Sequence, residues 1–266
     1  MREVITTVIV ALVLLCADIS AQDSSCCARA STPKAWSAAT MADERPSLGR
    51  IFGAIGQDVR RLPSRDAVET LGIAAALALA ALPSDRALTA HAHGSSALDR
   101  SFEAGDVLGE AWTHFGGAMG TVWLGGFTGH RRTQALGAGL ARAQAVNAIY
   151  TTGLKAAVGR ERPNGGTRSF PSGHSSATFA AATVLRHHYG WKVGLPAYAV
   201  ASYVAASRLQ ANSHYASDVI VGAALGIVAG RTVMLSQGSP RFEIVPVAGR
   251  GRVGITFVRS HRSSRH

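Results

Sequence analysis

Phe170-Pro171-Ser172-Gly173-His174-Ser175-Ser176-Ala177-Thr178-Phe179-Ala180-Ala181-Ala182-Thr183 places Pro, Ser and Gly just ahead of an Ala-rich run. Ser before such a run is a helix start signal, and the spacing predicts a helix over 173–188. Free N–H groups at a helix start bind phosphate, and Gly173 lets an anion approach the backbone closely. Ser172 adds a hydroxyl. On these residues alone an ordinary capping sequence is the better account, but it leaves His174 unexplained.

Outward from this stretch the chain stays helical in character. Residues 133–158 make a long Ala-rich helix, and further helices are expected at 194–206 and 215–235. Residues 101–129 are Gly-rich, small and apolar, with Glu110 and His114 inside. An Ala/Leu run at 67–82 is closed by Pro83, and 83–100 reads as a polar loop carrying His91 and His93. Leu48, Ile51, Phe52, Ile55, Val59 and Leu62 form a helical stripe, with Arg50, Asp58 and Arg60 between them. That stripe either docks on the core or lies on a membrane surface. The resulting fold class is all-α. After it, Phe242, Ile244, Pro246 and Val253, Ile255, Phe257 alternate around Gly249-Arg250-Gly251, the pattern of a β-hairpin.

The chain has 266 residues, 47% of them hydrophobic and 16% charged. It is too apolar for a disordered chain, and three Cys do not make a disulfide framework. With 27 Lys+Arg against 16 Asp+Glu, the net charge is +11, which suits an anionic partner. No nucleic-acid motif accompanies it, so nucleic acid is not expected. Residues 1–21 read as a secretory signal, with a retained anchor as the alternative. Residues 22–46 read as a flexible linker, 47–236 as the helical domain, and 237–266 as a basic hairpin and tail. The expected location is extracytoplasmic: periplasm or cell envelope. The uncharged runs Leu71–Leu82, Phe115–Gly129, Val193–Ser207 and Val219–Gly230 all fall short of the ~20 residues a spanning helix needs. A soluble or peripheral bundle is the narrow preference.

Two more segments carry chemistry. Lys155 and Arg162 are seven apart, two helical turns, with Pro163 ending the helix, so both cations fall on one face. Arg160 and Glu161 then point elsewhere, toward solvent. In Ser207-Arg208-x5-His214-x3-Asp218, the His and Asp stand at i and i+4. A carboxylate on one imidazole nitrogen leaves the other basic and nucleophilic. Arg208 offers forked donors for phosphate oxygens. Separately, each segment has a bland structural explanation. Together they gather a cationic clamp, helix-end amides, a nucleophile, an orienting acid and a second imidazole. No Walker sequence and no acidic cluster for magnesium is present, so neither metal nor cofactor is expected.

Lys155-x6-Arg162-Pro163, Pro171-Ser172-Gly173-His174 and Ser207-Arg208-x5-His214-x3-Asp218 resemble the three-part signature of the type 2 phosphatidic acid phosphatase superfamily. That superfamily includes bacterial acid phosphatases, lipid phosphate phosphatases and vanadium-dependent haloperoxidases. The likeness covers about residues 100–235. It implies a helical bundle of the acid phosphatase/haloperoxidase type. It also implies a metal-independent phosphatase acting on a phosphomonoester or diphosphate, either a lipid or a small molecule. His214 would attack phosphorus, Asp218 would orient it, and His174 would protonate the leaving oxygen and then activate water. Lys155, Arg162, Ser172, Gly173 and Arg208 would hold the phosphate oxygens. Two alternatives stay open: a haloperoxidase using vanadate as prosthetic group, and a non-enzymatic envelope protein binding anionic lipid. In the phosphatase, vanadate would be an inhibitor.

Overall fold

A computed structural model describes residues 48–93, 102–237, 241–249 and 252–260. The expected signal and linker lie outside the described residues. The helices are α1 (Leu48–Arg61), α2 (Arg65–Ala81), a 3₁₀ turn (Leu82–Ser84), α3 (Asp85–His93), α4 (Ala104–Gly109), α5 (Ala111–Phe127), α6 (Arg131–Val158), α7 (Gly173–Tyr189), α8 (Trp191–Gln210) and α9 (Ala216–Gln237). Strands β1 (Arg241–Gly249) and β2 (Arg252–Ser260) pair antiparallel, with Gly249 opposite Arg252.

The core gathers α6, α7, α8 and α9. Phe179, Val184, Val204, Val219, Ile227 and Val233 are fully buried. Small residues bring the helix backbones together. On α9, a Cβ at Gly222, Gly226 or Gly230 would lie 2.5 Å from the Ser172 carbonyl oxygen, 2.1 Å from that of Ser176, or 2.7 Å from the Thr183 Cβ. These glycines stand at i, i+4 and i+8, so one face of α9 is a flat track against α7. That contact sets Ser172, at the start of α7, against Asp218 on α9.

The stripe of α1 docks on the core. Ile51 packs with Ala118, Val122, Ala138 and Ala141, while Leu62 joins Val146, Val228 and Val233. Asp58, placed among the polar residues of the stripe by its spacing, is instead fully buried. Arg142 grips it with two hydrogen bonds, Nε to Oδ2 and Nη2 to Oδ1, each 2.8 Å, and Ser236 adds a third at 2.7 Å. A bidentate guanidinium is what makes such burial tolerable.

The α-helix of the Ala/Leu run ends at Ala81, just before Pro83, but no loop follows. Pro83 occupies the first positions of the 3₁₀ turn, where a missing N–H costs nothing, and the chain continues into α3. The polar loop expected at 83–100 is therefore helical through His93. His93 Nδ1 meets the Gln210 carbonyl at 2.8 Å, and no group of metal-ligating side chains forms among the described residues.

The run Arg65–His93, joined across the turn, and Ala216–Ser236 are long and apolar enough to cross a membrane by length and composition. They differ in burial: 78% of the α9 window is inside the protein, against 22% of the α2–α3 window.

Candidate active site

The site forms where the end of α6, the start of α7 and the α8–α9 connection meet. Helix α6 ends at Gly159, whose φ of 61° is the left-handed cap glycine favours. The helix thus stops four residues before Pro163. Lys155 is on its last turn, whereas Arg162 lies in the following loop and not on the same helical face. Arg162 is held there by its own backbone bonds to Gly165 and Gly166 and by Nε to the Thr167 carbonyl at 3.1 Å. Lys155 Nζ donates to the Arg168 carbonyl at 2.8 Å.

Ser172 is the N-cap of α7, its hydroxyl accepting from the Ser175 amide and hydroxyl. Its own amide donates to the Asp218 carbonyl at 3.0 Å, which ties the start of α7 to the start of α9. Arg208 is buried at the end of α8. Its Nη1 pairs with Asp106, and Nε and Nη2 meet the Ser207 hydroxyl at 3.2 and 3.0 Å. Helix α4 can lie this close because of two glycines. A Cβ at Gly105 would fall 2.2 Å from Ser207 Oγ, and one at Gly109 would fall 2.5 Å from the His174 ring.

His214 is 3% exposed, in the turn between α8 and α9. Its Nδ1 stands 3.7 Å from Asp218 Oδ2 and 3.4 Å from Ser169 Oγ. Ser169 donates a short hydrogen bond to the same carboxylate oxygen, and the Tyr215 amide donates to it at 2.9 Å. Arg160 holds the other oxygen, Nη1 to Oδ1 at 2.7 Å. Arg160 is thus not turned to solvent, whereas Glu161 is exposed. His174 Nε2 is 3.5 Å from Oε1 of the exposed Glu110.

Sequence reasoning missed Ser169, Arg160, Asp85, Asp106 and the contact of Glu110. Arg160 lies inside the Lys155-x6-Arg162 motif and Ser169 just ahead of Phe170-Pro171, so proximity in sequence was the available signal. Asp85 and Asp106 are far away in the chain and carried none.

The electrostatics fit an anion. Burial, then the Arg208 guanidinium, then His214 and Arg162, push His174 down to about 4 against the pull of Asp106. Burial likewise lowers His214, with Lys155 and Arg162 adding to it. Lys155 is pushed down to about 8 by burial and by Arg162. Burial alone would raise Asp218. Hydrogen bonds from His214, Ser169 and the Tyr215 amide, with the charge of Arg160, outweigh it and hold the carboxyl below its usual range. The structure therefore brings Lys155, Arg162, Arg208, His174 and His214 into one cation-rich cluster of like charge, with the Asp218 carboxylate behind His214. A bound dianion would relieve that repulsion.

Residues 134–240 match the family model of the PAP2 superfamily. Over 80 residues, 29% of this chain, the sequence is 44% identical to a lipid A 1-phosphatase of Porphyromonas gingivalis. Over 55 residues, 21% of the chain, it is 40% identical to a lipid A 4'-phosphatase of Helicobacter pylori. These matches span only 18% and 28% of the two relatives' lengths. The structure of a transmembrane PAP2-type phosphatidylglycerolphosphate phosphatase from Bacillus subtilis shares the fold, with a TM-score of 0.50 and 17% identity. The match covers 69% of this chain and 92% of that one. The matched stretch is less than half of the chain; it holds α7, α8, α9 and all but the first residues of α6, together with the three motifs that converge on the cluster, and over it the chain resembles the PAP2 superfamily.

Proposed function

We propose that this protein hydrolyses a phosphate ester of a lipid, without a metal, through a phosphohistidine on His214. The observation that carries the reading is the convergence just described. Three cations and two neutral imidazoles crowd one place, one imidazole is backed by a buried carboxylate, and the cluster holds no anion of its own beyond the rim acids and Asp218.

In the first half-reaction, His214 Nε2 attacks phosphorus while Nδ1–H faces Asp218 and Ser169. The P–O bond to the leaving group breaks, and His174 supplies a proton to that oxygen. In the second, His174 takes a proton from water, whose oxygen attacks the phosphohistidine, releasing inorganic phosphate and His214. Lys155, Arg162, Arg208 and the α7 amides spread the negative charge of the transferring group, and this is the main electrostatic term in phosphoryl transfer. His174, at about 4 in the empty site, is neutral near pH 7. The phosphate dianion itself must raise it for the proton to be available, so substrate loading and acid catalysis are coupled.

The lipid component rests on two supports. The matched relatives act on lipid A by name. In addition, Val68, Leu79, Trp112, Trp123, Phe127 and Leu195 are each at least 64% exposed, on α2, α5 and α8. Large apolar side chains in that number on a water-facing surface are unusual, and they suit lipid contact in the cell envelope.

The test is a panel of lipid A, phosphatidate, a polyprenyl diphosphate and a water-soluble monoester, in detergent with EDTA. Phosphate release from a lipid, blocked by vanadate, with a base-stable, acid-labile phosphoprotein trapped on quenching, is expected. Folded protein that releases no phosphate from any of the four refutes the reading. Halide oxidation by peroxide dependent on added vanadate would replace it.

A further inference from the structure

Asp218 is a fully buried carboxylate whose two oxygens have different jobs. Oδ2 faces His214 and takes Ser169 and the Tyr215 amide, while Oδ1 takes Arg160. A carboxylate rotates easily about its Cβ–Cγ bond unless the two oxygens are held by different donors. Arg160 is therefore what distinguishes Oδ1 from Oδ2.

Arg160 is itself fixed on three sides. Its Nη2 donates to Asp85 at 2.9 Å, its Nη1 also donates to the Ser217 hydroxyl at 2.7 Å, and its guanidinium lies 4.1 Å from the centroid of the Tyr215 ring. Asp85, 2% exposed, closes the circuit by accepting the Ser217 amide at 3.0 Å and the Ser217 hydroxyl. Asp85 comes from α3, outside the 134–240 stretch that matches the family model.

We propose that Arg160, clamped by Asp85 from the N-terminal helices, is a positioning residue that fixes the Asp218 carboxylate and through it the tautomer and aim of His214. This inference rests on the phosphatase reading only for its consequence on rate; the geometry of the clamp stands independently. The charged and titratable groups facing Asp218 are Arg160 from the α6–α7 loop, His214 from the α8–α9 turn, and Lys155 through space from α6, with Asp85 beyond Arg160. Without Arg160, two buried carboxylates would be left near each other with no cation between them. One would take up a proton, as carboxylates sharing a site do. A protonated or rotated Asp218 no longer presents its charged Oδ2 to His214 Nδ1, which it faces at 3.7 Å.

Two readouts test this in full-length protein in detergent. In Arg160→Met, kcat for the best lipid substrate is expected to fall about 10–100-fold, the range typical for groups that orient a functional imidazole from behind. KM should change little, and the acid limb of kcat should move to higher pH. Arg160→Lys should recover part of the rate. The double variant Arg160→Met/Asp85→Asn should move the acid limb back, because the excess carboxylate is gone. A merely structural role would not produce that reversal.

The second readout needs no turnover. Nitrogen-15 shifts of the His214 ring should report one tautomer, Nδ1–H, in the unaltered protein and a mixture in Arg160→Met or, if that variant does not fold, in Asp85→Asn. A single unchanged tautomer in the folded variant overturns the proposal. If the unaltered protein has no phosphatase activity while the tautomer still shifts, the functional reading fails and the clamp stands.

Discussion

His214 is buried and His174 half-buried, both among cations, yet their partners differ. His214 has a buried carboxylate and a serine behind it; His174 faces the exposed carboxylates of Glu110 and Asp106. In the proposed mechanism that asymmetry suits His214 to the role of nucleophile and His174 to that of acid and base. His214→Ala should abolish phosphate release. His174→Ala should lower kcat by about 10²–10⁴, the usual worth of a general acid/base, and should let the phosphoenzyme accumulate on quenching. Lys155 supplies a pH test with two opposed signs. Its folded value is depressed from 10.5 to about 8, so between those values the unfolded chain binds the extra proton and the folded one does not. The stability of the empty protein should therefore rise as pH climbs through that window. Affinity for phosphate or vanadate should fall over the same range, because the clamp loses a charge. Melting curves with and without vanadate from pH 7 to 10.5 should show the stabilisation by vanadate shrinking. Both effects should vanish in Lys155→Met.

At the scale of elements, the site depends on how closely α9 runs along α7. Gly226 has no room for a Cβ, with the Ser176 carbonyl oxygen 2.1 Å from where it would sit. Gly226→Ala should force the helices apart and cost about 1–3 kcal/mol, read as a lowered denaturation midpoint. Because the same contact sets Asp218 against α7, activity per folded molecule should fall as well. The buried Asp58–Arg142 pair anchors α1 in a similar way, away from the site. Asp58→Ala leaves a buried guanidinium unpaired and should destabilise by about 3–5 kcal/mol. The molecules that stay folded should keep their kcat.

At the scale of the molecule, the described residues present a cation-rich cluster and, apart from it, apolar helix faces carrying Trp112, Trp123 and Phe127. The Trp123 and Phe127 rings stack at 5.5 Å, so this face is a packed aromatic pair and not a scatter of side chains. Tryptophan emission should be quenched by brominated lipid in vesicles, and a variant with Trp123→Tyr and Trp112→Tyr should lose most of that quenching. Unchanged quenching in the variant would place the lipid contact elsewhere. For a phosphorylated lipid, the arrangement supplies both halves of the substrate with a suitable environment.

The amino-acid sequence by itself determined the helices from 131 to 237 and the three motifs. Helix periodicity and capping are local properties, and the motif residues lie within a few positions of one another. It also indicated the pairing of His214 with Asp218, because i and i+4 meet on any helical turn. Three matters were decided only by the tertiary structure. The first is the reach of α3, since Pro83 reads as a stop until its place in a 3₁₀ turn is seen. The second is the burial of Asp58, which depends on Arg142 being 84 residues away in the chain yet beside it in space. The third is the support of the site, where Asp85, Asp106 and Arg160 act. A charged residue is legible as solvated until folding supplies its counter-charge. That counter-charge comes from contacts distant in the chain, which periodicity and spacing do not encode.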